Sequence, residues 1–187
     1  MSVKEFIAHA KANRGKITFA SSGTGAEPHM SGELFKHLTG IEMTHVPYRG
    51  GGPALNDVIP GRVDVYFGTM PSTLPLARAG QVRALAVTSI IRSTFAPELP
   101  TIAESGVPGY DVSAWYGLYV PARTPAEIVS KLHWDAAAAL MHPQVKQRLG
   151  DIAAVAVSST PDELAALLKS DMALWGPIIK AAGIRGE

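Results

Sequence analysis

Apolar positions at Phe6, Ile7 and Ala10 recur at helical spacing ahead of Asn13-Arg14-Gly15, which predicts a short helix over residues 2–13. Residues 16–22 (KITFASS) are β-rich and run into Ser-Gly-Thr-Gly, a strand entering a glycine turn. A second helix is expected from Pro28, which suits a first helical position, with Met30, Leu34, Leu38 and Ile41 as its buried stripe. Residues 43–48 read as the next strand, 53–59 as a short helix, 63–69 as a strand, 71–79 as a helix and 82–89 as a further strand. Strand and helix alternate. That rhythm argues for parallel strands covered by helices, hence an α/β fold.

From residue 90 to 111 the pattern breaks into a Pro-containing connection with one helical turn near 101–105. Residues 113–121 (SAWYGLYVP) then read as an aromatic strand, so a lobe boundary is placed between 1–112 and 113–187. Two later helices are expected to open on Thr124-Pro125-Ala126-Glu127 and Thr160-Pro161-Asp162-Glu163. In each, Thr accepts from the N3 amide, Pro fills N1, and Glu reaches back to the cap amide. Pro177 lacks a donor and clashes with the preceding turn, which predicts a break or kink near Trp175-Gly176.

Composition narrows the function. The chain has 187 residues with 17 Lys+Arg against 16 Asp+Glu, a net charge of +1. Without a basic excess or a basic run, the phosphate attraction that nucleic-acid binders need is missing. No Cys is present, which excludes disulfides, thiolate metal sites and cysteine nucleophiles. No apolar run approaches a membrane span, and Lys4, Glu5, His9 and Lys11 interrupt any signal-peptide core within Met1 to Arg14.

Ser21-Ser22-Gly23-Thr24-Gly25 lies between a strand and a helix, where open α/β sheets gather ligands. Its glycines let amides turn inward as an anion nest, and the helix N-terminus adds positive potential. The same residues also suit a plain tight turn. They are neither a dinucleotide fingerprint, since Pro28 takes the third glycine position, nor a P-loop. Glu27 would repel an anion unless it points away. Tyr48-Arg49-Gly50-Gly51-Gly52 follows the next strand, and Arg49 is a charged fork suited to a carboxylate. Gly68-Thr69-Met70 ends the third strand, with Ser72 read as a helix cap. His29, Glu33 and His37 share a helix face that reads as solvated rather than metal-binding. A serine hydrolase would have to use Ser21 or Ser22 with His29 and Asp57 or Asp64, yet the Gly-x-Ser-x-Gly elbow is missing.

The segments KITFASSGTGAEPHMSGELFKHLTG, HVPYRGGGPALNDVIPGRVDVYFGTMPS, VRALAVTS, LPTIAESGVPGYDVSAWYGLYVPARTP and LWGPIIKAAGI, in this order, resemble the Bug/TctC family. Its members are extracytoplasmic solute receptors of tripartite tricarboxylate transporters. The resemblance implies a type II periplasmic-binding-protein fold, with one complete parallel-sheet lobe here and the C-terminal part of the other. It implies a di- or tricarboxylate or amino-acid ligand, no cofactor, membrane permease subunits as partners and a periplasmic location. A ligand-dependent sensor subunit is the runner-up. Ligand contacts pass to Ser21, Ser22, Gly23, Thr24, Gly25, Tyr48, Arg49, Gly50, Gly68, Thr69 and Met70. The chain departs from the family at Ala26, where many relatives have Ser, and at Gly68-Thr69, where an Asp-Asn-like pair is more usual. Relatives carry roughly their first third ahead of the helix that opens here. Residues 113–187 are therefore expected to expose apolar surface and to favour self-association.

Overall fold

The computed structural model describes residues 1–185. Two compact units divide the chain: Met1–Ala114 joined by the segment from Trp175 onward, and Trp115–Leu174.

The first unit opens with α1 (Val3–Ala12), started by a reciprocal Ser2–Glu5 capping box and burying Val3, Phe6 and Ala10. Three strands follow, β1 (Thr18–Ser21), β2 (Thr44–Pro47) and β3 (Val65–Tyr66), all parallel in the order β2-β1-β3. Each runs into a helix: α2 (Glu27–Thr39), α3 (Gly51–Val58) and α4 (Met70–Arg78). Alternate residues of a strand face opposite sides. Accordingly Phe19 enters the larger core with Phe35, Phe67 and Tyr110, whereas Ala20 joins Ala54 and Val63 in the smaller one. The approach of α2 to β1 depends on Gly32, where a Cβ would strike the Phe19 ring.

Residues 82–89 do not form the expected strand; only an isolated bridge pairs Val87 with Thr101. The turn at 101–105 is present, with Thr101 Oγ1 accepting the Glu104 amide at 3.0 Å and the Ser105 amide donating to Thr101 O at 3.1 Å. Tyr110, fully buried, donates its hydroxyl proton to Ser31 O at 3.2 Å.

The second unit holds α5 (Ala126–Met141), α6 (Pro143–Asp151) and most of α7 (Pro161–Ala181). Residues 113–121 form no strand, since no neighbouring strand pairs with them among the described residues. The two expected capping boxes behave differently. Thr160 and Glu163 exchange bonds as predicted, but Pro125 sits at the α5 N-cap with no side-chain cap, which displaces Thr124 from that position. The helix does not end at Pro177 as one of the two expected outcomes had it: α7 continues through it to Ala181. A straight-through proline forfeits one backbone bond, and the Ile178 side chain, buried in the first unit's core, anchors the turn that carries it. No helix among the described residues is long and apolar enough to cross a membrane.

Candidate functional site

Because the three strands run the same way, the loops leaving their C-terminal ends gather at one end of the sheet. Ala26, Gly50 and Thr69 occupy the N-cap positions of α2, α3 and α4, and none makes a side-chain cap bond. Helix starts left uncapped keep free amide donors and a partial positive charge. Three of them at one sheet end favour oxygen anions.

The first two loops are joined directly. Tyr48 N–H donates to Ser21 O at 3.1 Å, and Gly50 N–H donates to Ser22 O at 3.2 Å. Gly25 has φ +78° and Gly23 φ +140°, conformations that favour glycine. Within the loop several amides are already engaged: Gly23 N–H with Ser21 Oγ at 3.2 Å, Gly25 N–H with His29 Nδ1 at 3.0 Å, and Ala26 N–H with Gly23 O at 3.2 Å. Ser21 is fully buried and braces the turn, while Ser22 is half-buried and Thr24 exposed.

On the second loop, Tyr48 donates its hydroxyl proton to Asp57 Oδ2 at 2.8 Å, and Arg62 Nη1 holds Asp57 Oδ1 at 2.8 Å. The Arg62 bond, then the Tyr48 bond, hold the Asp57 carboxyl below its usual range; the bond to Asp57 in turn raises the Tyr48 hydroxyl. Tyr48 is thus committed to α3. Arg49 is exposed and makes no hydrogen bond or ion pair among the described residues.

At the third loop, a side chain on Gly68 would collide with the Tyr66 ring and Thr73. Ser72 is not the cap expected from sequence. It lies inside α4 with its hydroxyl turned back to Thr69 O at 2.9 Å, and Thr69 takes the N-cap position. Met70, half-buried, is the first residue of the helix. Tyr66 was not foreseen as part of the site: a Cβ on Gly51 would stand 3.1 Å from its hydroxyl, which places that hydroxyl over the start of α3.

The face expected to be solvated is largely interior. His29 and Glu33 are 5% and 9% exposed, His37 is exposed, and Leu38 of the expected stripe is 39% exposed. The first two turns of α2 are covered on several sides, by Phe19 below Gly32 and by Tyr110 at Ser31, so a one-sided pattern does not describe them. The His29 ring stacks on His45, with centroids 3.7 Å apart and planes 6° from parallel. His45 Nε2 lies 2.6 Å from Ser21 Oγ. Burial, the neighbouring His29 and Lys36 push His45 down to about 4, and burial also lowers His29. Strand register, which the sequence does not show, sets His45 beside Phe19, on the face that Ser21 shares.

Glu27, in the first turn of α2, accepts from Ser31 Oγ at 3.2 Å through Oε1, while its buried Oε2 has no partner. Burial raises its carboxyl above the usual range, with the Ser31 bond opposing. The hydrolase geometry is not assembled. The serine–histidine contact is Ser21 with His45, Ser21 has no exposed surface, and His29 Nδ1 is occupied by the Gly25 amide. No group of three or more potential metal-ligating side chains occurs among the described residues.

A family model described as "Tripartite tricarboxylate transporter family receptor" matches residues 1–184. A UPF0065 protein from the tcbD-tcbE intergenic region of Pseudomonas sp. (strain P51) is 36% identical over 178 residues, 95% of this chain and 53% of the relative. Protein BugT of Bordetella pertussis (strain Tohama I) is 33% identical, over 98% of this chain and 56% of its own length. The chain therefore spans little more than half the length of these curated relatives. Among solved structures, R. palustris Rpa4515 with adipate superposes at TM-score 0.90 and 38% identity, covering 98% of this chain and 61% of that one. MatC (Rpa3494) from Rhodopseudomonas palustris with bound malate gives TM-score 0.84 at 30% identity, covering 95% and 62%.

Proposed function

Since the chain belongs to the tripartite tricarboxylate transporter receptor family, we propose that it binds a small organic carboxylate for transport and catalyses no reaction. The observation that carries this reading is the set of three uncapped helix starts at one end of a parallel sheet. Amides, the Ser22 and Thr24 hydroxyls and the exposed Arg49 fork supply donors there, against the one carboxylate of Glu27 in the first turn of α2. Neighbours of the same fold hold adipate and malate, both dicarboxylates, which supports a di- or tricarboxylate ligand here. In this role residues 1–112 form the clasping lobe, residues 113–187 serve the other lobe, and the bound solute passes to membrane permease subunits from the periplasm.

A ligand held from one side only is bound weakly, so the 187-residue polypeptide by itself should bind with roughly millimolar affinity. Isothermal titration with adipate and malate, beside the uncharged diamide adipamide, tests the reading. Dicarboxylate heats that vanish for adipamide and shrink in Arg49→Ala support it. Equal heats for acid and amide, or no heat with either acid at millimolar concentration, would overturn it.

A further inference from the structure

A stacked histidine pair, His29 buried and His45 half-buried, stands beside the β1–α2 loop, and both rings are tied to that loop. His29 Nδ1 receives the Gly25 amide at 3.0 Å, so this nitrogen carries no proton and the ring's proton sits on Nε2, 3.7 Å from Glu33 Oε1. His45 Nε2 reaches Ser21 Oγ at 2.6 Å, and that same oxygen takes the Gly23 amide at 3.2 Å. The rings stack at 3.7 Å, which disfavours charging both at once. We infer that His29 is a positioning residue for the carboxylate site: with His45 stacked on it, neutral His29 holds the Gly25 amide and fixes the loop from Ser21 to Gly25. Ligand contact is left to the remaining donors of that loop.

The other charged groups facing the pair are few. On α2, Glu33 favours protonation of His29, while Lys36, bonded to Glu33 at 2.7 Å, opposes protonation of both rings. From β1 the rings meet Phe19, whose centroid is 6.0 Å from His29 and 5.0 Å from His45, and His45 meets Ser21. Once His29 gains a second proton it has no lone pair at Nδ1, and the Gly25 amide must let go. Acidification should therefore loosen this loop first. The opposite assignment, a histidine that merely fills space, predicts no link between ring charge and Gly25.

Nuclear magnetic resonance of the 187-residue chain distinguishes the two without ligand. A scalar coupling across the N–H···N bond from Gly25 to His29 Nδ1 is expected at neutral pH, and it should vanish as His29 protonates. His29→Phe keeps a ring for stacking but removes the acceptor, so the Gly25 amide should exchange with solvent about tenfold faster. His29→Asn, whose oxygen can stand near the Nδ1 position, should restore protection and remove its pH dependence. Adipate affinity should follow the same order, falling about tenfold in His29→Phe. If Gly25 is equally protected in His29→Phe, or indifferent to His29 charge in the unmodified protein, the inference is wrong. Should His29→Phe not fold, the pH titration of the unmodified chain decides alone. This inference rests on the carboxylate reading only for its affinity arm: coupling and exchange as expected, with no adipate binding, would remove the reading and leave the loop mechanism standing.

Discussion

Glu27 puts an acid in the first turn of α2, next to a surface argued to accept anions. Its Oε2 is buried without a partner and burial raises its carboxyl, so the folded state favours the neutral form. Below the ordinary value of 4.5 the group is neutral in both folded and unfolded chains and costs little. As pH rises past that value the unfolded chain ionises first, and stability falls until the folded carboxyl ionises too. An unpartnered buried polar group costs about 1–3 kcal/mol. Glu27→Gln keeps the acceptor for the Ser31 hydroxyl and removes the charge, so it should raise the melting temperature at pH 7, by about 2–4 °C for each kcal/mol recovered, and by less at pH 4. Thermal denaturation at the two pH values checks this; a loss of stability at pH 7, or a gain that does not depend on pH, contradicts it. The loops that make up the candidate site were legible in sequence, because glycine, serine and arginine after a strand announce backbone donors and charge. What was not legible needed a third dimension: His45 and Tyr66 look like ordinary strand residues until the register sets one beside Phe19 and carries the other's hydroxyl to Gly51.

Elements followed their local signals wherever a partner was at hand. The Thr160 box forms, with Glu163 held below the usual carboxylate range chiefly by its bond from the Thr160 amide. Thr124 has the same sequence logic but caps nothing, because α5 starts one residue after Pro125. Thr160→Ala should cost about 1 kcal/mol and Thr124→Ala close to none, measured by urea denaturation followed through helical circular dichroism. Equal costs would contradict the contrast. Gly32 separates propensity from packing. Helix preference favours Ala over Gly by about 0.5–1 kcal/mol, yet a Cβ there meets the Phe19 ring, itself fully buried, and overpacking of that kind costs about 1–3 kcal/mol. Packing should win, and Gly32→Ala should lower the denaturation midpoint; a raised midpoint would show that the Phe19 ring can yield. The strands expected at 82–89 and 113–121 failed for the complementary reason. Val, Leu, Trp and Tyr describe a side chain suited to a pleated surface, whereas a strand also needs a neighbour for its backbone, and composition cannot report one.

Across the whole molecule the two units differ most in what they bury. The first unit encloses Phe19, Phe35, Phe67 and Tyr110, while α5 and α6 of the second unit bury no residue at all. Tyr116, Trp134, Val155, Val157 and Met172 of that unit are 91%, 69%, 70%, 70% and 68% exposed. Soluble monomers seldom leave so many large apolar side chains in water. Covering roughly 600 Å² of apolar surface would return about 15 kcal/mol. Association itself costs about 4–15 kcal/mol, which leaves a net gain of about 0–11 kcal/mol. The curated relatives that this chain matches over about half their length have many further residues with which to cover such a surface. Sedimentation across about 1–200 µM, a span chosen because a Kd near 10 µM corresponds to a net gain of about 7 kcal/mol, should show mass rising above 19.7 kDa with concentration. Replacing Trp134 and Val157 together by Ser should shift that rise to higher concentration without changing the helical signal. A constant 19.7 kDa species that binds no apolar dye would mean that these side chains cover one another in solution, and the surface argument would fail.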